Sequence, residues 1–258
     1  MSKLATATAL WLPAPKPHPD ARARLICFPY AGGGVPVFRQ WPEALPGDME
    51  LRVVQLPGRG PRLREERFVS VPPLIEVLGE ALRPLLDRPF AFFGHSLGAI
   101  LAFELARSLR EQALGPAHLF VSGNVAPQVP PPAPDIHQLP DAEFVQKIKD
   151  MNGVPEVILN SQELLAIFLP AIRSDFVLLE TYRNEKSGPP LGCPITAFGG
   201  LQDPRTTREG LEAWRAQTTG DFILNMLRGG HFFIESERSC LIRAIVQKLL
   251  ATAACVTR

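Results

Sequence analysis

Six short apolar runs, each closed by glycine, constrain this chain more than any other feature. They are Leu25–Phe28 before Gly32-Gly33-Gly34, Leu51–Leu56 before Pro57-Gly58, and Phe90–Phe93 before Gly94. The others are His118–Val121 before Ser122-Gly123, Ile195–Phe198 before Gly199-Gly200, and Phe222–Leu227 before Gly229-Gly230. Runs of this kind read as strands that feed loops at one sheet edge. Helical patterns alternate with them. Leu97, Ile100, Leu101, Leu105 and Leu109 follow helical spacing, with a stop near Gly115-Pro116. Residues 72–87, 205–217 and 237–251 are further helix candidates. Alternation of the two periods predicts an α/β fold, with a mostly parallel central sheet and helices on both faces.

One stretch breaks the rhythm. Residues 126–136, APQVPPPAPDI, hold five prolines and read as a stiff connector. Behind it, 141–151, 161–169 and 171–182 read as three helices, and Ser187-Gly188-Pro189-Pro190 returns the chain to a strand. We therefore divide the chain into a core, 1–126 and 187–258, and an inserted helical lid, 127–186, over the loop edge. An ordinary helical subdomain without a gating role is the alternative. A length of 258 residues suits one domain with an insertion better than two equal halves.

The composition excludes several classes. Hydrophobic residues make up 46% and charged residues 21%, so the chain can bury a core. A net charge of +1 gives no global argument for nucleic acid. Cys27, Cys193, Cys240 and Cys255 form no CxxC pair and no metal-ligand spacing, as in a reduced cytosolic protein. No secretory h-region and no run of ~18 apolar residues is present. The expectation is a soluble cytoplasmic protein that binds neither nucleic acid, membrane nor metal.

The run at Phe90 leads into Gly94-His95-Ser96-Leu97-Gly98, and a helical pattern follows at once. A G-x-S-x-G pentapeptide between a strand and a helix is a nucleophile elbow. It lifts a serine hydroxyl out of the core at the sheet edge, and its glycines leave room for the turn. A serine needs a base and a third group to hold that base, in the chain order Ser, Asp or Glu, His. Asp203 and His231 each follow a glycine-closed strand, so both stand where the loops converge. His231 would take the serine proton, and Asp203 would fix its tautomer. His18, His118 and His137 fit worse, as does Asp221. His95 reads as a packing or hydrogen-bonding residue that points away from the serine. The oxyanion hole needs two backbone donors. These are assigned to Leu97, which follows the nucleophile, and Ala31 in the loop after the first strand.

Together these residues make the chain resemble the type II thioesterases, the discrete α/β-hydrolases that accompany polyketide synthases and nonribosomal peptide synthetases. The resemblance runs from about residue 24 to 250. It rests on LICFPYAGGG (25–34), Trp41, QLPGRGPR (55–62), FFGHSLGAILAFELA (92–106), LFVSGNVAP (119–127), LPAIRSDFVLLETY (169–182), the turn at 199–203, Trp214, and GGHFF (229–233). It implies the α/β-hydrolase fold, a Ser96, Asp203, His231 triad and a mobile lid. It implies hydrolysis of acyl thioesters carried on the phosphopantetheine arm of acyl or peptidyl carrier protein domains, which edits misprimed or stalled synthases. It also implies no cofactor beyond the arm on the substrate, and a monomer. The family more often has Glu at Gly60 and Met at Leu97. The first departure costs at most a loop salt bridge, and the second keeps the backbone donor. Two alternatives stay open: a medium-chain acyl thioesterase that releases fatty acids from a fatty acid synthase, and a small-ester hydrolase. Tyr30, Phe144, Met151, Phe168, Phe176 and Phe232 are candidates for the acyl chamber. Arg59, Arg62, Arg64 and Arg67 are either a docking patch for an acidic carrier or a solvated or internally paired charged loop.

Overall fold

The computed structural model describes residues 3–131, 135–184 and 188–256. All six expected strands form: β1 (Ala23–Phe28), β2 (Met49–Val53), β3 (Phe90–His95), β4 (Leu119–Ser122), β5 (Ile195–Gly200) and β6 (Phe222–Leu227). They make one sheet in the order β2-β1-β3-β4-β5-β6, with every neighbouring pair parallel. Apolar residues point both ways because helices cover both faces. In β1 and β3, Ile26, Phe28, Phe90 and Phe92 enter one core. Leu25, Cys27, Ala91 and Phe93 enter the other.

The helices are α1 (Lys3–Trp11), α2 (Val71–Leu82), α3 (Leu97–Arg110), α4 (Asp141–Asp150), α5 (Glu156–Leu159), α6 (Gln162–Thr181), α7 (Arg208–Glu212), α8 (Phe233–Ser236) and α9 (Arg238–Val256). The first core lies against α2 and α3, and the second against α9. Helix α1 was not visible in the sequence. It is anchored where the Thr8 hydroxyl donates to the Ala81 carbonyl at 2.9 Å. The chain leaving it covers the open edge of the second strand, where the Val53 and Gln55 amides donate to the Pro13 and Trp11 carbonyls while the Val54 amide still bonds Cys27 of β1. Helix α3 stops at Arg110, before Gly115, because Ala113 adopts a left-handed conformation (φ 56°) and the Leu114 amide closes back on Leu109.

The segment between β4 and β5 carries α4, α5 and α6. Its own small core contains Ile136, Phe144, Ile148, Ile172 and Phe176. The two helices expected on either side of Pro170 are one helix, α6. A mid-helix proline costs about 3 kcal/mol. Burial of Ala171, Ile172, Phe176 and Leu178 on one side holds the helix against that penalty. On the other side the Ser161 hydroxyl caps the start by accepting from the Leu164 amide. Every buried residue of α6 lies after Pro170. The proline-rich connector is tied at both flanks: Ala126 donates to Gly210, and Ile136 donates to the Glu180 carboxylate. Its centre, Pro132 to Pro134, lies outside the described residues, as do Glu185 to Ser187. Among the described residues, no helix is long and apolar enough to cross a membrane.

Candidate active site

Ser96 joins β3 to α3 with φ 54° and ψ −118°. For a residue with a Cβ this costs of order 1–3 kcal/mol, and it persists only when the surroundings hold it. Here three hydrogen bonds hold it. The Ser96 amide donates to Ser122 at 2.8 Å, while the Ser96 carbonyl accepts from the Ala99 amide at 2.9 Å and from Asn124 Nδ2 at 3.0 Å. The flanking glycines are obligatory. A Cβ on Gly94 would lie 2.1 Å from the Gly98 carbonyl oxygen, and one on Gly98 would lie 2.0 Å from that of Phe28. The Leu97 amide opens α3 and is one of the helix-start donors without an intrahelical acceptor.

Asp203 and His231 stand on neighbouring loops after β5 and β6, and those loops are stitched together. The Gln202 amide donates to Gly229, and the Gly229 amide returns a bond to Gln202 Oε1 at 2.6 Å. His231 Nδ1 donates to Asp203 Oδ2 at 2.8 Å, with both residues buried. The Arg205 amide and the Thr206 hydroxyl also donate to that carboxylate. Burial works to raise the Asp203 pKa. The hydrogen bond and charge of His231 and these two further donors outweigh it, so the carboxyl stays below its ordinary value. An ionised Asp203 requires N–H at Nδ1 and leaves Nε2 of a neutral His231 free to accept a proton. Ser96 and His231 line the same two cavities.

His95 does not simply point away. Its ring is fully buried 5.2 Å from the His231 ring, and Nδ1 bonds the Ser122 hydroxyl at 2.9 Å. Burial, then the neighbouring His231, push its pKa well down, so it stands as a neutral wedge beneath His231.

The other expected donor, the Ala31 amide, lies in the first glycine loop. The Gly33 amide donates to the Tyr30 carbonyl at 2.8 Å, and Gly32 has φ 81°. This is the pattern of a type II turn, with Ala31 and Gly32 at its centre and the Ala31 amide unused within the turn.

The two cavities differ. One of about 90 Å³ leads from Ser96 past Asn124, Pro127, Asp135 and Arg183. The other, about 20 Å³, is bounded by Tyr30, Met151, Gly153, Phe176 and Phe232. That is room for about one water. Four of the six expected chamber residues, Tyr30, Met151, Phe176 and Phe232, therefore face the serine. The other two do not. Phe144 is fully buried in the core of the α4–α6 segment, edge-on to Phe176 and under Arg173. Phe168 packs against that same core, on the other side of Pro170 from its buried residues. Their apolar spacing serves helix packing. Arg205 was missed by sequence reasoning. It lines both cavities, and its guanidinium donates to Met151 Sδ at 2.9 Å. The only available signal was its place two residues after Asp203.

The arginine stretch is half internal. Arg59 and Arg62 are buried; Arg62 donates to the Gln55 carbonyl and to Glu65, and lies over the Trp11 ring. Arg64 and Arg67 are exposed. A docking patch built on Arg62 is therefore ruled out. Gly60 sits at φ 54°, a conformation that glycine adopts without strain and glutamate does not.

Residues 23–249 match the family described as thioesterase domain. The chain is 43% identical over 254 residues to linear gramicidin dehydrogenase LgrE of Brevibacillus parabrevis, covering 97% of this chain and 96% of that protein. It is also 43% identical over 230 residues to gramicidin S biosynthesis protein GrsT of Aneurinibacillus migulanus, covering 89% and 90%. Among solved structures, the type II thioesterase BorB from the borrelidin biosynthetic cluster superposes with a TM-score of 0.85 at 36% identity, covering 92% of this chain and 97% of that one.

Proposed function

This chain belongs to the thioesterase family, and from that premise we propose that it hydrolyses short acyl thioesters held on carrier protein domains of a polyketide or nonribosomal peptide synthase, as an editing enzyme. The observation that carries this reading is the pair of unequal cavities meeting at Ser96. The larger, whose wall mixes Asn124, Asp135 and Arg183 with Val125 and Pro127, suits the amide-bearing pantetheine arm. The smaller one has room for little more than an acetyl methyl unless the segment above it moves. A relative from gramicidin S biosynthesis and a structural neighbour from the borrelidin cluster support a synthase partner.

In the proposed reaction, Ser96 Oγ attacks the thioester carbonyl while His231 Nε2 takes the hydroxyl proton. The Ala31 and Leu97 amides receive the oxyanion. The carbon–sulfur bond breaks, the thiol leaves with the proton from His231, and an acyl-serine remains. Water then gives a proton to His231 and attacks the ester. The acid departs, and the proton returns to Ser96. Asp203 stays ionised throughout and orients the ring. Residues 127–186 act as the lid over this site.

The test is release of free acid from acetyl-, hexanoyl- and decanoyl-loaded carrier protein beside the matching N-acetylcysteamine thioesters. The editing reading predicts broad hydrolysis that favours short chains and improves on the carrier. A strong decanoyl preference would favour chain release from a fatty acid synthase instead. Turnover of esters with none of thioesters would refute the substrate class.

A further inference from the structure

The turn assigned to the oxyanion is held by a residue 143 positions away. Asp175, on the buried half of α6, is 2% exposed. Its Oδ2 accepts from the Gly32 amide at 2.7 Å, and its Oδ1 accepts from Arg59 Nη2 at 2.7 Å. Arg59 Nη1 in turn donates to the Gly33 carbonyl at 2.6 Å. One carboxylate and one guanidinium thus grip the central peptide of the turn and the peptide that leaves it. The two central amides of a type II turn point outward from it. Asp175 occupies that of Gly32 and leaves that of Ala31, a residue lining the smaller cavity with Ser96, unused by the pair. The backbones are packed to match. A Cβ on Gly32 would meet Ile172 at 3.2 Å, and one on Gly58 would meet Ala171 at 2.9 Å.

We propose that Asp175 and Arg59 are positioning residues for the reaction: the buried ion pair between α6 and the second loop sets the Ala31 amide at the distance the oxyanion requires. The inference rests on the reading of Ser96 as nucleophile and Ala31 as donor. Stability alone gives little reason for the pair, because a buried ion pair is often replaced by packed apolar side chains at no loss. What an apolar pair cannot do is bond a turn amide and a turn carbonyl at once. The pair also places the fixed part of the lid. Residues after Pro170 move with the oxyanion loop, so only those before Pro170 are free to open without disturbing the donor.

The experiment compares wild type, Asp175→Asn, and the double variant Arg59→Met/Asp175→Leu. The double variant leaves no uncompensated charge and guards against a single variant that fails to fold. The readout is the rate of Ser96 phosphonylation by a fluorophosphonate, which places a developing oxyanion in the same hole whatever the natural acyl group. Misplacement of a catalytic group by 1 Å costs up to ~10²-fold. The double variant should therefore label about 10- to 100-fold more slowly at saturating reagent, with the half-saturation concentration and melting temperature near wild type. Labelling at the wild-type rate in a folded double variant would overturn the proposal and leave Ser96 as nucleophile standing. No labelling of wild type at Ser96 would overturn both.

Discussion

Gly98 lies in the floor of the site and Gly153 in its roof, and neither has room for a Cβ. At Gly98 the obstacle is the Phe28 carbonyl oxygen, 2.0 Å away and part of β1. At Gly153 it is the tip of the Phe232 ring, 2.3 Å away, on a side chain that can swing. The two overlaps are nearly equal, and their meanings are opposite. The floor is backbone against backbone, so its geometry is inherited from the sheet and cannot adapt. The roof is backbone against a side chain, so it can. On the proposed function, chemistry that needs fixed donors is placed on the first, and selection among acyl groups is left to the second.

The comparison can be broken at several points. Asp203→Asn keeps the shape of the floor but presents the wrong hydrogen-bond partner to His231. It should lower kcat by about 10⁴, or ~5 kcal/mol, with an unchanged circular dichroism spectrum. Retention of more than a tenth of the activity would remove Asp203 from the triad. Gly98→Ala attacks the backbone packing itself. It should cost on the order of 4 kcal/mol, a large part of a domain's stability, read as loss of soluble protein or a steep fall in the urea midpoint.

The sheet that supports the floor also carries a titration, at the edge away from the serine. His118 stacks on Phe120 and bonds the Thr196 hydroxyl. Burial first, and then Lys248, push its pKa from 6.5 down to about 4. The unfolded chain therefore binds a proton at higher pH than the folded one. Stability from this group is complete above pH 6.5, declines as pH falls, and is gone below about 4. His118→Gln, which keeps a polar partner for Thr196 without titrating, should flatten the urea midpoint between pH 7 and 4.5. An unchanged slope would assign the acid sensitivity elsewhere.

Roof changes should be smaller and selective. Phe232→Ala should enlarge the 20 Å³ cavity and raise decanoyl relative to acetyl turnover about tenfold, since each buried methylene is worth ~0.8 kcal/mol. Gly153→Ala should leave the melting temperature within a degree or two and shift the same ratio by only a few-fold. If it instead unfolds the protein, floor and roof do not differ as described.

The same contrast explains what was legible in the sequence. Strands, elbow, Asp203 and His231 could be read because parallel strands announce themselves as apolar runs and their loops as glycine. The roof could not. Pro170 looked like a helix end, yet buried contacts on one side of it outweigh its local preference. Phe144 and Phe168 had apolar spacing, which marks a packed face without saying against what. For Arg59 and Arg62 docking and internal pairing both stayed open, because nothing local reveals an acceptor such as Asp175 or the Gln55 carbonyl. The Asp175–Gly32 bond has no sequence signal at all, since tertiary packing alone brings the two together. Helix α1 was hidden for the same reason.

The most direct measurement is intact-protein and peptide mass spectrometry of the enzyme quenched within its first turnovers on a short acyl thioester, in wild type and Ser96→Ala. The account predicts one acyl mass on the peptide containing Ser96, formed no more slowly than free acid is released, with both signals absent from the variant. Release of acid from Ser96→Ala at a rate near wild type, with no acylated peptide in either protein, would contradict it.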